Sequence, residues 1–285
     1  MGAAASTARA MHLLHQGICI PDYEKVLTSG YSRLIQPGNV VFDVGAHAGM
    51  HLDRFVELVG AQGRVFAFEP LPGLAGVLTR RYGEDPRVTV KALALSNRSG
   101  AGTFRILENV LAQSGLKQRG LGDEVVVIRL PANRIAGGVL RRAIQAFGRF
   151  GIGNWALHRG YVIARDFPVK LDTIDAQAAS LERLDFIKLD VEGGEMDCLR
   201  GAEATVARYR PFISVEYGYA GYSVYGETIF SLFKWAGAQG YLLSDPFGNV
   251  VEDEAEWLKV CDVSYWDYYM LPQERRDFWQ SKFMS

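Results

Sequence analysis

Val40-Val41-Phe42-Asp43-Val44-Gly45-Ala46-His47-Ala48-Gly49 is the stretch on which the fold turns. Four of its first five residues are apolar, and two of the three valines and the phenylalanine form an unbroken run before Asp43. A short continuous run of this kind suits a strand covered on both faces, as in a parallel sheet. The glycines then mark a tight turn, where a side chain would keep a ligand from the backbone. Just downstream, Leu52, Phe55, Val56 and Val59 recur at helical spacing. Strand, glycine turn and helix in that order form the opening unit of a nucleotide-binding α/β sheet.

Working outward, Pro37-Gly38 punctuates the chain before this strand, and residues 22–34 read as an N-terminal helix. Arg64–Phe68 and Val88–Leu95 are expected as the second and third strands, with a helix over Leu71–Tyr82 between them. Further strands are expected at Phe186–Leu189, Phe212–Val215, Tyr241–Leu243 and Tyr268–Leu271, with a helix around Ile229, Leu232, Phe233 and Ala236. The alternation predicts a Rossmann-like α/β fold, a doubly wound and mostly parallel sheet with helices on both faces. The expected organisation is an N-terminal helical extension at 1–36 and one domain at 37–285. The stretch from Ala101 to about Lys170 breaks the rhythm and reads as a hairpin followed by an inserted basic helical segment at about 131–167. Between Val125 and Arg165 there are seven arginines and no carboxylate. Arg134, Arg141, Arg142 and Arg149 gather on one side of that helix, opposite Val139, Leu140, Ala143, Ile144 and Phe147. The segment is either a surface helix docked on the core, an electropositive lid for an acidic or phosphorylated acceptor, or a membrane-surface or partner-binding face.

Composition bounds the function. The chain has 285 residues, with 31 Lys plus Arg against 32 Asp plus Glu, so no overall field favours nucleic acid or an anionic membrane. Cys19, Cys198 and Cys261 show no paired spacing, which argues against a disulfide framework or a zinc site and fits a cytoplasmic location. No apolar run approaches a membrane span, and the first residues lack the apolar core of a signal peptide. Met1-Gly2-Ala3-Ala4-Ala5-Ser6 matches the loose myristoylation pattern, one that small residues often produce by chance.

The spacing Gly45-x-x-x-Gly49 differs from the Gly-x-Gly-x-x-Gly of dinucleotide binders, whose backbone amides pack around a pyrophosphate. S-adenosyl-L-methionine carries no phosphate, and its cationic tail suits an acid at the strand end. Asp43 is the candidate, either engaging the tail ammonium or ordering the loop. Glu69, in Phe66-Ala67-Phe68-Glu69-Pro70, ends the second strand, where a carboxylate can accept hydrogen bonds from both ribose hydroxyls. The competing readings make Asp43 a helix cap and Glu69 a surface acid.

These segments, followed by Ala94-Leu95-Ser96-Asn97, resemble the FkbM-type methyltransferases. The second half agrees, with Leu171-Asp172-Thr173-Ile174-Asp175 ahead of Asp185-Phe186-Ile187-Lys188-Leu189-Asp190-Val191-Glu192-Gly193, then Leu199-Arg200-Gly201-Ala202 and Arg210-Pro211. The resemblance runs from about residue 37 to 218. It implies a class I methyltransferase fold with a seven-stranded sheet, S-adenosyl-L-methionine as cofactor, and O-methylation of a hydroxyl on a small molecule, sugar or secondary metabolite. Carried onto this chain, the cofactor-binding set is Asp43, Gly45, Ala46, His47, Gly49, Glu69, Pro70, Ala94 and Asp190. His47 departs from the asparagine common at its position, and the basic insertion is longer than in compact members.

Ligands of open α/β sheets bind beyond the carboxyl ends of the strands. Asp190 and Glu192 follow one expected strand and Glu216 another, so all three are expected to face the crevice. Asp190 is expected to border the cofactor, and Glu192 or Glu216 to orient or deprotonate the acceptor; alternatively Glu192 and Glu195 stabilise a helix start. His158, in the insertion, is a further candidate base. An all-oxygen set of these acids would suit Mg²⁺ or Mn²⁺, but no second metal motif accompanies them and a metal is not expected. His47 and His51 lack the intervening residues of a metalloprotease and read as a helix-start contact and a surface histidine. Tyr217 and Tyr219 are candidates for the acceptor wall, or for core and rim. Two alternatives remain: a nicotinamide-dependent oxidoreductase, disfavoured because Tyr23 is followed at the fourth position by Leu27 and not by lysine, and a non-catalytic scaffold that retains the cofactor fold.

Overall fold

The computed structural model describes residues 2–17, 22–107, 116, 126–130 and 161–283. Its main sheet has eight strands. β1 (Val40–Val44) pairs in parallel with β2 (Arg64–Phe68) on one side, and β2 pairs in parallel with β3 (Val88–Lys91). On the other side β1 pairs in parallel with Phe186–Leu189, which pairs in parallel with Phe212–Glu216. Asp267–Pro272 then runs antiparallel between Phe212–Glu216 and Tyr241–Ser244. The two-residue strand Val250–Val251 adds an antiparallel edge. The expected doubly wound sheet of seven strands is therefore present, with that short edge strand added.

β1 has no exposed residue, and its side chains alternate between the two cores. Val41 points into a core with Tyr31 and Leu34 of helix α2 (Tyr23–Leu34) and Phe55 and Val59 of helix α3 (Leu52–Val59). Phe42 and Val44 point into the other, with Leu199, Val206, Leu232 and Trp257 from helices at 195–200, 203–209, 231–238 and 254–260. Helix α2 starts where the Asp22 carboxylate accepts the Lys25 N–H, a conventional N-cap. Tyr31, 1 % exposed, packs its ring against Phe55 and Phe186. Helix α1 (Ala3–His15) falls within the stretch expected as a helical extension and lies against the helix at 254–260, with Thr7 hydrogen-bonded to Tyr265.

Two expectations are corrected. The third strand does not run through from Val88 to Leu95. It ends at Lys91, the chain turns, and β4 (Ala94–Leu95) joins a different sheet. That second sheet contains β4, β5 (Gly100–Leu107), β6 (Val126–Leu130) and β7 (Tyr161–Asp172). The partner of β5 is thus β7, antiparallel over Gly100–Leu107, and not a neighbouring hairpin arm. Residues 161–167, placed within the inserted segment by the sequence, are strand in β7. The basic helix with Arg134, Arg141, Arg142 and Arg149, and His158 with it, lies outside the described residues. No helix among the described residues is long and apolar enough to cross a membrane.

Candidate active site

At the carboxyl ends of β1, β2 and Phe186–Leu189 lies a cavity of about 690 Å³. Gly45, Ala46, His47, Glu69, Pro70, Ala94, Asp190 and Glu192, all singled out from sequence, line it. Asp43, Gly49 and Glu216 do not.

The turn after β1 is shaped by crowding within the protein. Gly45 has φ +83°, and a Cβ there would overlap the carbonyl oxygen of Asp190. Gly49, at φ +86°, is packed against Leu78 and Tyr82 of helix α4 (Pro72–Tyr82). Both glycines are thus required by neighbouring chain, a demand beside the approach of a ligand that the sequence reading gave as their reason. Between them His47 takes the left-handed region at φ +48°, a conformation in which Asn and His are both over-represented among non-glycine residues.

Glu69 is 4 % exposed, so it is not a surface acid. One carboxylate oxygen accepts the His47 N–H at 3.0 Å and the other accepts the Leu71 N–H at 2.8 Å. It therefore ties the glycine turn to the start of α4 and still has lone pairs facing the cavity. Burial pushes its carboxyl above the ordinary value, while the two amide hydrogen bonds pull the other way.

Asp43 points away from the cavity, towards the α2 and α3 side of the sheet. It is 1 % exposed, neither carboxyl oxygen has a hydrogen-bond partner, and burial raises its pKa. It neither caps a helix nor reaches the cavity, so the expectation of direct contact with the cofactor tail is corrected. Its register partner on the next strand is Lys188. Lys188, 3 % exposed, is a cation in an otherwise apolar strand, and it donates to Asp190 Oδ2 at 2.8 Å. Asp190 reaches the cavity with its side chain 40 % exposed. Glu216 projects to the same side of the sheet as Lys188. Glu216 is half-buried and does not line the cavity, so the expected open crevice position is corrected; burial and the adjacent Asp190 carboxylate raise its pKa. It shares a hydrogen bond with Asp190.

The loop that carries Glu192 is held by Glu195. This side chain is 3 % exposed and accepts the N–H groups of Val191 at 2.9 Å and Gly193 at 3.1 Å. Burial pushes its carboxyl up to about 7. Glu192, at φ +61°, and Gly193, at φ +103°, form the left-handed turn that these bonds stabilise.

His51 is 9 % exposed and is not a surface histidine. Its Nδ1 lies 3.1 Å from the Tyr31 hydroxyl and its Nε2 3.3 Å from Glu24 Oε2, joining α2 to the site. Glu24 and His51 both line the cavity. Tyr217 is core: it is 1 % exposed, stacks on Tyr222 and donates to the Thr228 carbonyl. Tyr219 is 66 % exposed, and Tyr225 is the tyrosine that lines the cavity. Leu71, Leu74, Leu93 and Leu95 make the wall beyond Glu69 apolar, and Phe104, Ile106 and Leu116 extend it. Among the described residues no group of three or more His, Cys, Asp or Glu side chains is placed to hold a metal ion.

Sequence reasoning missed Lys188, Glu24 and the second-sheet wall beyond Ala94, while Glu195 was read as stabilising a helix start and instead holds the Glu192 loop. Lys188 carried a signal, because a lysine inside an apolar central strand must find a buried partner. The second-sheet wall carried none, since it depends on the pairing of β5 with β7.

Comparison with known proteins identifies the family. The family described as Methyltransferase FkbM domain matches residues 43–243. The 2-O-methyltransferase NoeI of Sinorhizobium fredii is 27% identical over 190 residues, covering 65% of this chain and 66% of NoeI. The AMB antimetabolite synthetase AmbE of Pseudomonas aeruginosa is 28% identical over 198 residues, 64% of this chain and 9% of AmbE. The chain thus spans just under two thirds of the one relative and under a tenth of the other. Among solved structures, Methyltransferase FkbM from Methylobacillus flagellatus is similar at 14% identity, with a TM-score of 0.45 over 94% of this chain and 58% of that one. The O-methyltransferase from Bacillus cereus, in complex with SAH, is similar at 10% identity, with a TM-score of 0.41 over 94% and 89%.

Proposed function

The chain belongs to the FkbM methyltransferase domain family, and from that premise we propose that it transfers the methyl group of S-adenosyl-L-methionine to a hydroxyl of a small-molecule or glycan-type acceptor. The observation that carries this reading is the placing of two acids on opposite sides of one glycine turn. β1 lies between β2 and Phe186–Leu189, so Glu69 and Asp190 flank Gly45 from the two neighbouring strands.

The donor set fits that cofactor. Glu69 offers carboxylate lone pairs to the ribose hydroxyls, and the leucine wall beyond it suits a flat apolar base. Asp190, kept ionised by Lys188, offers a negative charge to the tail ammonium. When bound, S-adenosyl-L-methionine supplies an activated methyl group on a sulfonium sulfur. The protein's own task is then to hold the acceptor oxygen in line and to keep water away, and such positioning can be worth roughly 7–11 kcal/mol. Glu192 lines the cavity two residues from Asp190 and accepts a hydrogen bond from the acceptor hydroxyl, orienting it or taking its proton. The name of NoeI, a 2-O-methyltransferase, supports a hydroxyl acceptor.

Calorimetric titration with S-adenosyl-L-methionine, with NAD in parallel, tests the reading. Saturable binding that Glu69→Ala weakens at least tenfold, without NAD binding, is expected. Binding of NAD in place of S-adenosyl-L-methionine by folded protein overturns it. For Glu192→Gln, kcat is expected to fall by 10²-fold or more with cofactor affinity unchanged, within the range of a lost acid–base group.

A further inference from the structure

Lys188 is the only lysine among the strand residues that meet beneath the cavity floor, and four carboxyl groups surround it. Asp190 accepts its hydrogen bond at 2.8 Å. Asp43 lies beside it in register on β1, with both oxygens unpartnered. Glu216 and Asp267, cross-strand partners of each other, face it from the two strands beyond. Four carboxyl groups this close do not ionise equally easily, and the one that shares a hydrogen bond with the cation is favoured.

We propose that Lys188 is a positioning residue that acts through Asp190, selecting it among these four acids to carry the negative charge that the cavity presents to the ammonium of the cofactor's amino-acid tail. This rests on the cofactor reading above. Geometry supports the assignment: of the four acids, Asp190 alone lines the cavity, and its carbonyl is fixed against Gly45 at the centre of the turn. The ammonium of Lys188 is itself held above its ordinary pKa, because the surrounding carboxylates outweigh the burial that would lower it. Asp190 is held below the carboxylate range, since Lys188 outweighs its burial. Asp43 and Glu216 are raised by burial, and Asp267 is pushed up to about 6. The other ionisable groups that face Asp190 are His51 beside α3, Glu24 on α2, and Glu192 and Glu195 on the following loop. Four of the six acids around Asp190 lie on elements other than its own strand and loop, so without Lys188 the charge on Asp190 would meet carboxyl groups with only His51 to offset them.

The test compares two probes. S-adenosylhomocysteine carries the ammonium tail; methylthioadenosine has the same adenosine but no tail. Wild-type protein is expected to bind S-adenosylhomocysteine with constant affinity from pH 5.5 to 8. Lys188→Met is expected to bind it within threefold of wild type at pH 8 and at least tenfold more weakly at pH 6, where Asp190 takes up a proton. Methylthioadenosine affinity is expected to stay unchanged in the variant at both pH values. In an Asp190→Asn background, adding Lys188→Met is expected to change S-adenosylhomocysteine affinity less than twofold. Equal loss of both probes, or a pH profile unchanged by the substitution, overturns the proposal and leaves Lys188 a structural residue. If Lys188→Met does not fold, Asp43→Asn/Lys188→Met, which removes the cation together with the ionisable carboxyl beside it, takes its place with the same expectations. Failure of the wild-type protein to bind either probe counts instead against the cofactor reading itself.

Discussion

The carbonyl oxygen of Asp190 occupies the space that a Cβ on Gly45 would need. The two strands that carry the cavity's central turn and its acid are therefore locked together at one atom. Gly45 also sits at φ +83°, where any L side chain is strained. Gly45→Ala is expected to destabilise the protein by about 3 kcal/mol or more, the sum of overpacking and backbone strain. Urea unfolding measures this; a loss below 1 kcal/mol would mean that the strands separate more easily than described.

Tyr31 tests whether α2 belongs to the fold. Its ring is buried between Phe55 and Phe186, and its hydroxyl meets His51. Tyr31→Ala is expected to cost about 3–5 kcal/mol, as for other large aromatic truncations in a core. A midpoint shift in denaturant equivalent to less than 1 kcal/mol would make α2 a detachable appendage.

Glu195 sets a pH dependence. Burial raises its carboxyl from 4.5 to about 7 in the folded protein, outweighing the amide hydrogen bonds that pull it down. Between these values the folded state binds more protons than the unfolded one, so stability falls as pH rises from about 4.5 to 7 and is flat for this group above. The full contribution is on the order of 3 kcal/mol. Glu195→Gln is expected to remove that part of the slope. Identical unfolding profiles for the two proteins between pH 5 and 7 would contradict it.

Glu192 pays for its place at the cavity with a left-handed backbone. Glu192→Gly is expected to leave the fold as stable as wild type or about 1 kcal/mol more so, while turnover falls by at least 10²-fold. Thermal denaturation and single-turnover methyl transfer read the two effects separately. Unchanged turnover would remove the side chain from the reaction.

The parts of the fold legible in the sequence were those set by continuous apolar runs and helical spacing. Val40–Val44 and Phe186–Leu189 are buried throughout and Arg64–Phe68 is buried but for Arg64 and part of Phe66, so their composition marks them. The order of these strands placed Glu69 and Asp190 at one end of the sheet. How far each acid reaches was harder to read. Asp43, one residue before the end of β1, and Glu216, which ends its strand, share a face with Lys188 and Asp190, yet of these acids Asp190 alone, one residue past its strand, lines the cavity. The reason for the glycines was not legible in full, since a steric demand from Asp190 and Leu78 has the same sequence signature as one from a ligand. The break at Lys91 was illegible: Val88–Leu95 reads as one strand, and only the pairing of Ala94 with Leu171 moves its end into the second sheet.

That break divides the labour of the chain. All three neighbours in the second sheet pair with β7, so one twelve-residue strand is its spine. Phe104 and Ile106, on β5, lend that sheet to the cavity wall, while the turn, Glu69 and Asp190 belong to the other sheet. The cavity thus has two walls held by separate hydrogen-bond ladders, so a change confined to β5 reshapes one wall and leaves the register of β1 and its neighbours intact.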